Sequence, residues 1–296
     1  MTTATKAHLG LLGTNIFFAI NLSAVKHITT GNFVQPYGLN VIRVGVSVLL
    51  FWVLFLLKPS SASIQRSDIP RFLLCALTGI AINQTFFIKG LSFTYSIHAA
   101  LLMLTTPILI TFAAAWLLKE RLNIFKLLGL AMGIAGALVL ILNRESTGSG
   151  SDVILGDIMI LINAISYTIY FILVKPLMNK YNPVHVIRWV FTLGLLMVLP
   201  FGWSEFSRIN WPSFTQTEFI LVALIAVGGT FLAYLFNIYG IKILGASMAG
   251  NYIYTQPFLA ALIAWFFLHE PLQAYHYIAA VLIFAGVYLA NKRNKK

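Results

Sequence analysis

Three sets of polar and aromatic side chains recur at helical spacing inside stretches that are otherwise apolar. Asn163, Tyr167 and Tyr170 stand at i, i+4 and i+7, and so do Thr230, Tyr234 and Asn237, and Thr14, Phe18 and Asn21. That spacing puts each trio on one helix face. Thr255 and Gln256 directly precede Pro257, with Asn251 and Tyr254 close by, and Asn83 and Gln84 form a further polar pair. Amides and hydroxyls bind an ammonium or a carboxylate, and aromatic rings hold an apolar side chain or stack on a cation. The faces therefore offer either a lining for a small amphipathic or aromatic molecule or hydrogen bonds between helices. The sequence alone leaves both open.

Charged residues are few. Arg43 and Arg188 fall within apolar stretches, where a cation is costly unless paired or in reach of water. They are expected to be structural anchors, with attraction of an anionic group as the alternative. Glu120 and Glu270 sit at the ends of apolar runs and read as structural carboxylates. The other acids, Asp68, Glu145, Asp152, Asp157, Glu205 and Glu218, avoid the middle of any run, and His98 lies near the end of one. No metal site is expected: there is no His-Glu-x-x-His, and neither a Gly-x-Ser-x-Gly nucleophile nor a nucleotide-binding motif is present. No cofactor and no enzyme activity are expected. Pro107 and Pro257 each lie near the middle of an apolar run, where a proline removes a backbone bond and kinks a helix. They are candidate hinges.

The elements that must position these residues follow from composition. Only 9% of the 296 residues are charged, while 59% are apolar and 14% aromatic. A soluble domain carries about 25% charge and cannot cover this much apolar side chain. Soluble enzymes, nucleic-acid modules and disordered chains are excluded, and the +12 net charge comes from cations spread singly rather than in a patch. The class that remains is an all-α polytopic membrane protein. Charge-free runs predict ten spans, near Ala7–Val25, Pro36–Leu57, Pro70–Ile88, Ile97–Leu118, Ile124–Leu142, Gly156–Val174, Pro183–Gly202, Phe219–Ile241, Ser247–Leu268 and Gln273–Ala290. At about 20 residues each, ten spans leave only short loops. With the N-terminus inside, fourteen Lys and Arg fall on the inner side and four on the outer, which predicts that both termini are cytoplasmic.

The chain also resembles itself. Gly90, Pro107, Glu120 and Gly136 align without a gap on Gly240, Pro257, Glu270 and Gly286. Val41-Ile42-Arg43 matches Val186-Ile187-Arg188, and Ala24-Val25-Lys26 matches Leu173-Val174-Lys175. The halves are read as residues 1–145 and 146–296, five spans each. Because five is odd, the halves enter the membrane in opposite directions, the inverted repeat of many secondary transporters. A pseudo-twofold axis is expected to bring spans one and six, three and eight, and four and nine face to face. Gly129-x-x-x-Gly133 permits close helix packing, within the chain or in a dimer.

Ten spans in a five-plus-five repeat, a proline within spans four and nine, and the Glu closing each of those helices resemble the drug/metabolite transporter superfamily. In particular the chain resembles its EamA-type exporters, which include the bacterial YddG-like amino-acid exporters. The resemblance implies export of small metabolites, amino acids or similar amphipathic solutes, across a bacterial inner membrane by alternating access. The partners implied are a small-molecule substrate and the lipid bilayer, with no nucleic acid, and a monomer or weak homodimer. The alternatives are a lipid flippase and, with less support, an intramembrane enzyme. The substrate-binding residues expected on the inward faces are Thr14, Asn21, Asn163, Tyr167, Tyr170, Tyr234, Asn237, Thr255 and Gln256. Transport is expected to be facilitated or by exchange, without an obligatory carboxylate in the core.

Overall fold

Capping residues set where the apolar runs become helices. The computed structural model describes residues 2–57, 64–106, 108–110, 113, 124–142, 152–244, 252, 255–269 and 272–291. Helix α1 (Thr3–Thr30) starts at Thr2, whose hydroxyl accepts from the Thr5 N–H. It ends before Asn32, which takes the left-handed conformation that Asn tolerates. Helix α2 (Pro36–Leu57) has its first amides capped from a distance. The Tyr37 and Gly38 N–H groups donate to the Glu205 carboxylate at 2.7 and 2.9 Å, a favourable place for negative charge. Helix α6 (Val153–Lys180) is capped by Asp152 and α7 (Pro183–Ser207) by Asn182, with Pro183 at the first position. Helices α4 (Ser96–Met103), α5 (Ile124–Leu142), α9 (Thr255–Leu268) and α10 (Ala274–Asn291) complete the two halves around two composite helices.

Those composites are α3 and α8. Helix α3 runs Arg66–Phe93, with a π-helical segment at Leu77–Ile82 between α-helical Ile69–Ala76 and Asn83–Phe93. Helix α8 begins at a Thr215–Glu218 capping box and runs through Gln216–Ala223, π-helical Leu224–Leu232 and Ala233–Leu244. The π segments overlap at repeat-matched positions. A π turn widens the helix by one residue and frees backbone groups, and such turns concentrate at functional sites.

Six helices, α1, α2, α3, α6, α7 and α8, are long and apolar enough to cross a membrane. They are the first three of each half. At 1.5 Å per residue, the 28 residues of α1 or α6 reach about 42 Å, more than the roughly 30 Å hydrocarbon core. Among the described residues, shorter apolar helices include 127–140, 258–268 and 274–289, beside α4. Among the described residues there is no strand. Large apolar side chains such as Leu49, Leu56, Phe201, Phe266 and Tyr288 point outward. That coat suits lipid and would cause association in water.

The helices pack in reciprocal pairs. α5 lies along α10 and α2 along α7, while α1 lies on α8 as α3 lies on α6. The reciprocity is visible at atomic scale. A Cβ added at Gly136 would stand 2.5 Å from Ile283 Cγ1, and one at Gly286 would stand 2.9 Å from the Gly133 nitrogen. These are one contact seen from both halves, the mark of a twofold-like exchange. The Gly129–Gly133 motif is thereby covered by α10 of the same chain. The face-to-face pairing expected from sequence is altered: α4 does meet α9, but α1 lies chiefly on α8 and α9, and α6 on α3 and α4.

Candidate functional site

At the exchange axis Gln84 Nε2 donates to the Tyr234 hydroxyl at 2.9 Å. Gln84 and Tyr234 are the same repeat position, so this bond joins α3 to α8 across the pseudo-symmetry. Each follows its helix's π segment, which turns the position inward. Around Tyr234 stand Phe18 of α1, with ring centroids 6.4 Å apart, and Phe191 of α7 at 5.1 Å. Phe51 continues the row to Phe191 at 5.4 Å and to Phe231 at 4.9 Å. Tyr167 packs on Tyr170 at 5.8 Å, and both tyrosines join the same side-chain cluster as Phe191 and Tyr234. Tyr167 and Tyr234 keep partial exposure.

The sequence-derived candidates divide into three groups. Thr14 and Asn163 bond helices together. Thr14 Oγ1 donates to Ala233 O at 3.2 Å, while Asn163 Nδ2 donates to Asn83 O at 2.9 Å and Asn83 Nδ2 donates back to Asn163 O at 3.1 Å. These are repeat copies of one contact and do not face a cavity. Asn21 and Tyr170, also a matched pair, fill the notches left by two glycines. A Cβ at Gly79 would lie 2.5 Å from Tyr170 Cδ2, and one at Gly229 2.6 Å from Asn21 Oδ1. Asn21 Oδ1 is buried with no hydrogen-bond partner among the described residues. Tyr167, Tyr234 and Asn237 are the partly exposed members.

Thr255 Oγ1, at the start of α9, donates to Tyr252 O at 2.7 Å, and Gln256 is buried. Pro257 is the third residue of α9. Pro107, Glu120, Glu270, Asn251 and Tyr254 lie outside the described residues.

A cavity of about 620 Å³ opens beside this cluster. It is lined by Lys6, Leu9 and Gly10 of α1, by Asn182, Pro183 and Val184 where α7 begins, and by Leu235, Phe236, Ile238 and Tyr239 of α8. Its α8 wall is one helix face, Leu235, Phe236, Ile238 and Tyr239, and Tyr234 and Asn237 do not belong to that wall. At the other end of the bundle the interior is polar. There Asp157 is wholly buried and accepts from Thr94 Oγ1 and from His98 Nδ1, the latter at 2.9 Å. Lys26 Nζ donates to Thr94 O at 2.5 Å, and His276 packs edge-on to His98 at 5.1 Å. The sequence placed Asp157 correctly near a helix end but gave no sign of its complete burial.

Two contributors were visible in sequence but not assigned to the site. Gln84 was noted only as a polar residue of span three, and its match to Tyr234 at a spacing of 150 was the available signal. Arg43 reads from sequence as a structural anchor, with attraction of an anionic group as the alternative. Its Nε donates to Thr230 Oγ1 at 3.0 Å, and its guanidinium stands 5.6 Å from the Phe87 ring centroid. The guanidinium of Arg188 stands 3.6 Å from the Phe55 centroid and 4.6 Å from that of Trp52. Among the described residues no group of three or more His, Cys, Asp or Glu is arranged to hold a metal.

Comparison with known proteins agrees with this geometry. The chain is 22% identical over 286 residues to the uncharacterized transporter YoaV of Bacillus subtilis (strain 168), covering 96% of both. It is 27% identical over 232 residues to the uncharacterized transporter YvbV of the same organism, covering 76% of this chain and 73% of that one. An uncharacterized transporter of Archaeoglobus fulgidus is 24% identical over 246 residues, with 82% of each covered. A solved crystal structure at 21% identity superposes with a TM-score of 0.64 over 97% of this chain and 98% of that one, which establishes a shared fold. The EamA-like transporter family matches residues 5–142 and again residues 154–292. With two copies of that unit packed reciprocally around an aromatic and polar cluster, the chain is a multi-pass membrane protein that belongs to the EamA-like transporter family.

Proposed function

We propose that this transporter exports small metabolites, amino acids or similar amphipathic solutes, across the bacterial inner membrane by alternating access between two inverted five-span repeats. The observation that carries the reading is the Gln84–Tyr234 bond on the exchange axis, flanked by two repeat-matched π segments and the row Phe18, Phe191, Phe51 and Phe231. An inverted-repeat carrier has its solute site near the midplane where the repeats meet. Ten spans, with repeats at 1–145 and 146–296, put Lys6 and both termini in the cytoplasm. In that orientation the cavity bounded by Lys6 and Tyr239 faces inward, and the buried Asp157–His98 pair closes the outer end.

Tyr167, Tyr234 and Asn237 receive the solute, with Gln84 as an added donor. Asn21, Tyr170, Thr255 and Gln256 shape the wall, and Pro107 and Pro257 hinge spans four and nine. The carrier works as a monomer or weak homodimer. Transport is facilitated or by exchange, because Asp157 is tied to His98 and Thr94 at one end of the bundle instead of standing free at its centre.

The test is flux of water-soluble amino acids into proteoliposomes of the full chain. Asn237→Ala and Tyr167→Ala should each slow flux about 2- to 13-fold, the equivalent of one hydrogen bond of 0.5–1.5 kcal/mol, with folded yield unchanged. Normal flux in both would move the site elsewhere. Flip of a labelled lipid with no solute flux would favour a flippase.

A further inference from the structure

Arg43 and Arg188 occupy matched positions yet end in different surroundings. Arg188 is spread over aromatic faces: its guanidinium carbon lies 3.6 Å from the Phe55 centroid, 4.6 Å from Trp52 and 5.9 Å from Trp189. Its Nη2 also meets His185 Nδ1 at 2.9 Å, while its Nε, like one nitrogen of Arg43, is buried with no hydrogen-bond partner among the described residues. Arg43 has much less. It is 2% exposed, one ring stands 5.6 Å away, and Nη1 is buried with no hydrogen-bond partner. The ion pairs among the described residues are His27–Glu218, His98–Asp157 and Lys180–Asp68, and none includes Arg43.

A guanidinium removed from water inside a membrane is costly until an anion or several acceptors meet it. Here the described residues supply one acceptor. Thr230 Oγ1 takes the Nε proton at 3.0 Å, and its own hydroxyl donates to Ile225 O at 2.9 Å, five residues back in the π segment. Thr230 is thereby pinned, and it pins one edge of the guanidinium. The Nη1 side has no hydrogen-bond partner among the described residues, and Thr230, which holds Nε, directly precedes Phe231 of the aromatic row and lies one turn before Tyr234 on α8. A planar fork fixed along one edge and free along the other is built for a carboxylate.

We propose that Arg43 is a specificity-determining residue that takes the carboxylate of the solute at the Tyr234 cluster, so that the carrier selects solutes bearing an anionic group over isosteres without one. The inference rests on the reading of that cluster as the transport site. The solute's carboxylate completes the charge that the fold leaves uncompensated, while Phe191, Phe51 and Phe231 hold its apolar part. A site built around a fixed, buried charge rejects an uncharged analogue strongly, because the charge would be left without its partner.

The experiment uses purified full-length protein in proteoliposomes with the membrane potential clamped at zero and leak into protein-free vesicles subtracted. Three probes share one skeleton: leucine, 2-hydroxy-4-methylpentanoate, which keeps the carboxylate and loses the amine, and leucinol, which keeps the amine and loses the carboxylate. The wild type should move the first two at least ten times faster than leucinol. Arg43→Gln should lower flux of the two acids about tenfold and leave leucinol unchanged, and Arg43→Lys should restore part of the acid flux.

Equal wild-type flux of all three probes overturns the proposal, as does an equal loss for all three in a folded Arg43→Gln protein. If Arg43→Gln does not fold, the wild-type comparison and Arg43→Lys still decide. Tyr234→Phe separates the two readings. If it slows every probe that moves while leucinol keeps pace with leucine, the site stands and the role of Arg43 falls. Movement of no probe overturns both.

Discussion

At the scale of single residues, a polar side chain on an inward face is identified by its partner more than by its type. Asn163 and Asn237 are both amides on helical polar faces, but Asn163 exchanges bonds with the backbone of α3 whereas Asn237 keeps partial exposure on α8. Asn163→Ala should therefore lower stability by about 1–3 kcal/mol, since it leaves the Asn83 carbonyl without its buried donor. Flux per folded molecule should stay near the wild-type value. Thermal unfolding in detergent and vesicle flux measure the two effects separately. A flux loss in Asn163→Ala equal to that of Asn237→Ala would mean that both line the path. The candidate faces themselves were legible in sequence because helical spacing is local. Which of their members bond to a neighbouring helix was not, because the acceptor is a carbonyl about 80 or more residues away.

At the scale of elements, the π segments of α3 and α8 have no sequence signature. Glycines mark where other helices cross them, however: Tyr170 at Gly79 and Asn21 at Gly229. Gly79→Ala forces a methyl against the Tyr170 ring, and Gly229→Ala forces one against Asn21. Overpacking of this kind costs about 1–3 kcal/mol. Both variants should lower the melting temperature, and the matched positions predict similar losses. A loss in one alone would mean that the two contacts are not equivalent. The prolines belong to this scale as well. Pro257→Ala should slow transport more than it lowers folded yield, and unchanged rates in Pro257→Ala and Pro107→Ala would leave neither proline a part in the transport cycle.

At the scale of the whole molecule, the reciprocal packing of the halves and the proposed inverted-repeat topology make one prediction about orientation and one about energy. Reporter fusions after Gly150 should read as periplasmic and those after Lys296 as cytoplasmic, and the reverse would end the inverted-repeat account. A pH gradient across vesicles should leave the final solute ratio unchanged. Uphill accumulation driven by that gradient would instead assign coupling to a titrating group, with the buried Asp157–His98 pair the first to test by Asp157→Asn.

The sequence by itself determined that the chain is helical, lies in a membrane and carries two similar halves. Apolar run length, sparse charge and the 150-residue self-match are properties of the chain written in order. It also marked Arg43 and Arg188 as equivalent, which they are in position alone. Tertiary structure decided what each arginine meets: Phe55 and Trp52 in one case, Thr230 and an unpaired edge in the other. It likewise buried Asp157 between Thr94 and His98 and brought Gln84 to Tyr234. Burial and pairing depend on which helices are neighbours. Neighbours in a membrane are chosen by side-chain packing over the whole bundle, since lipid gives no stretch of apolar sequence a reason to prefer one partner over another.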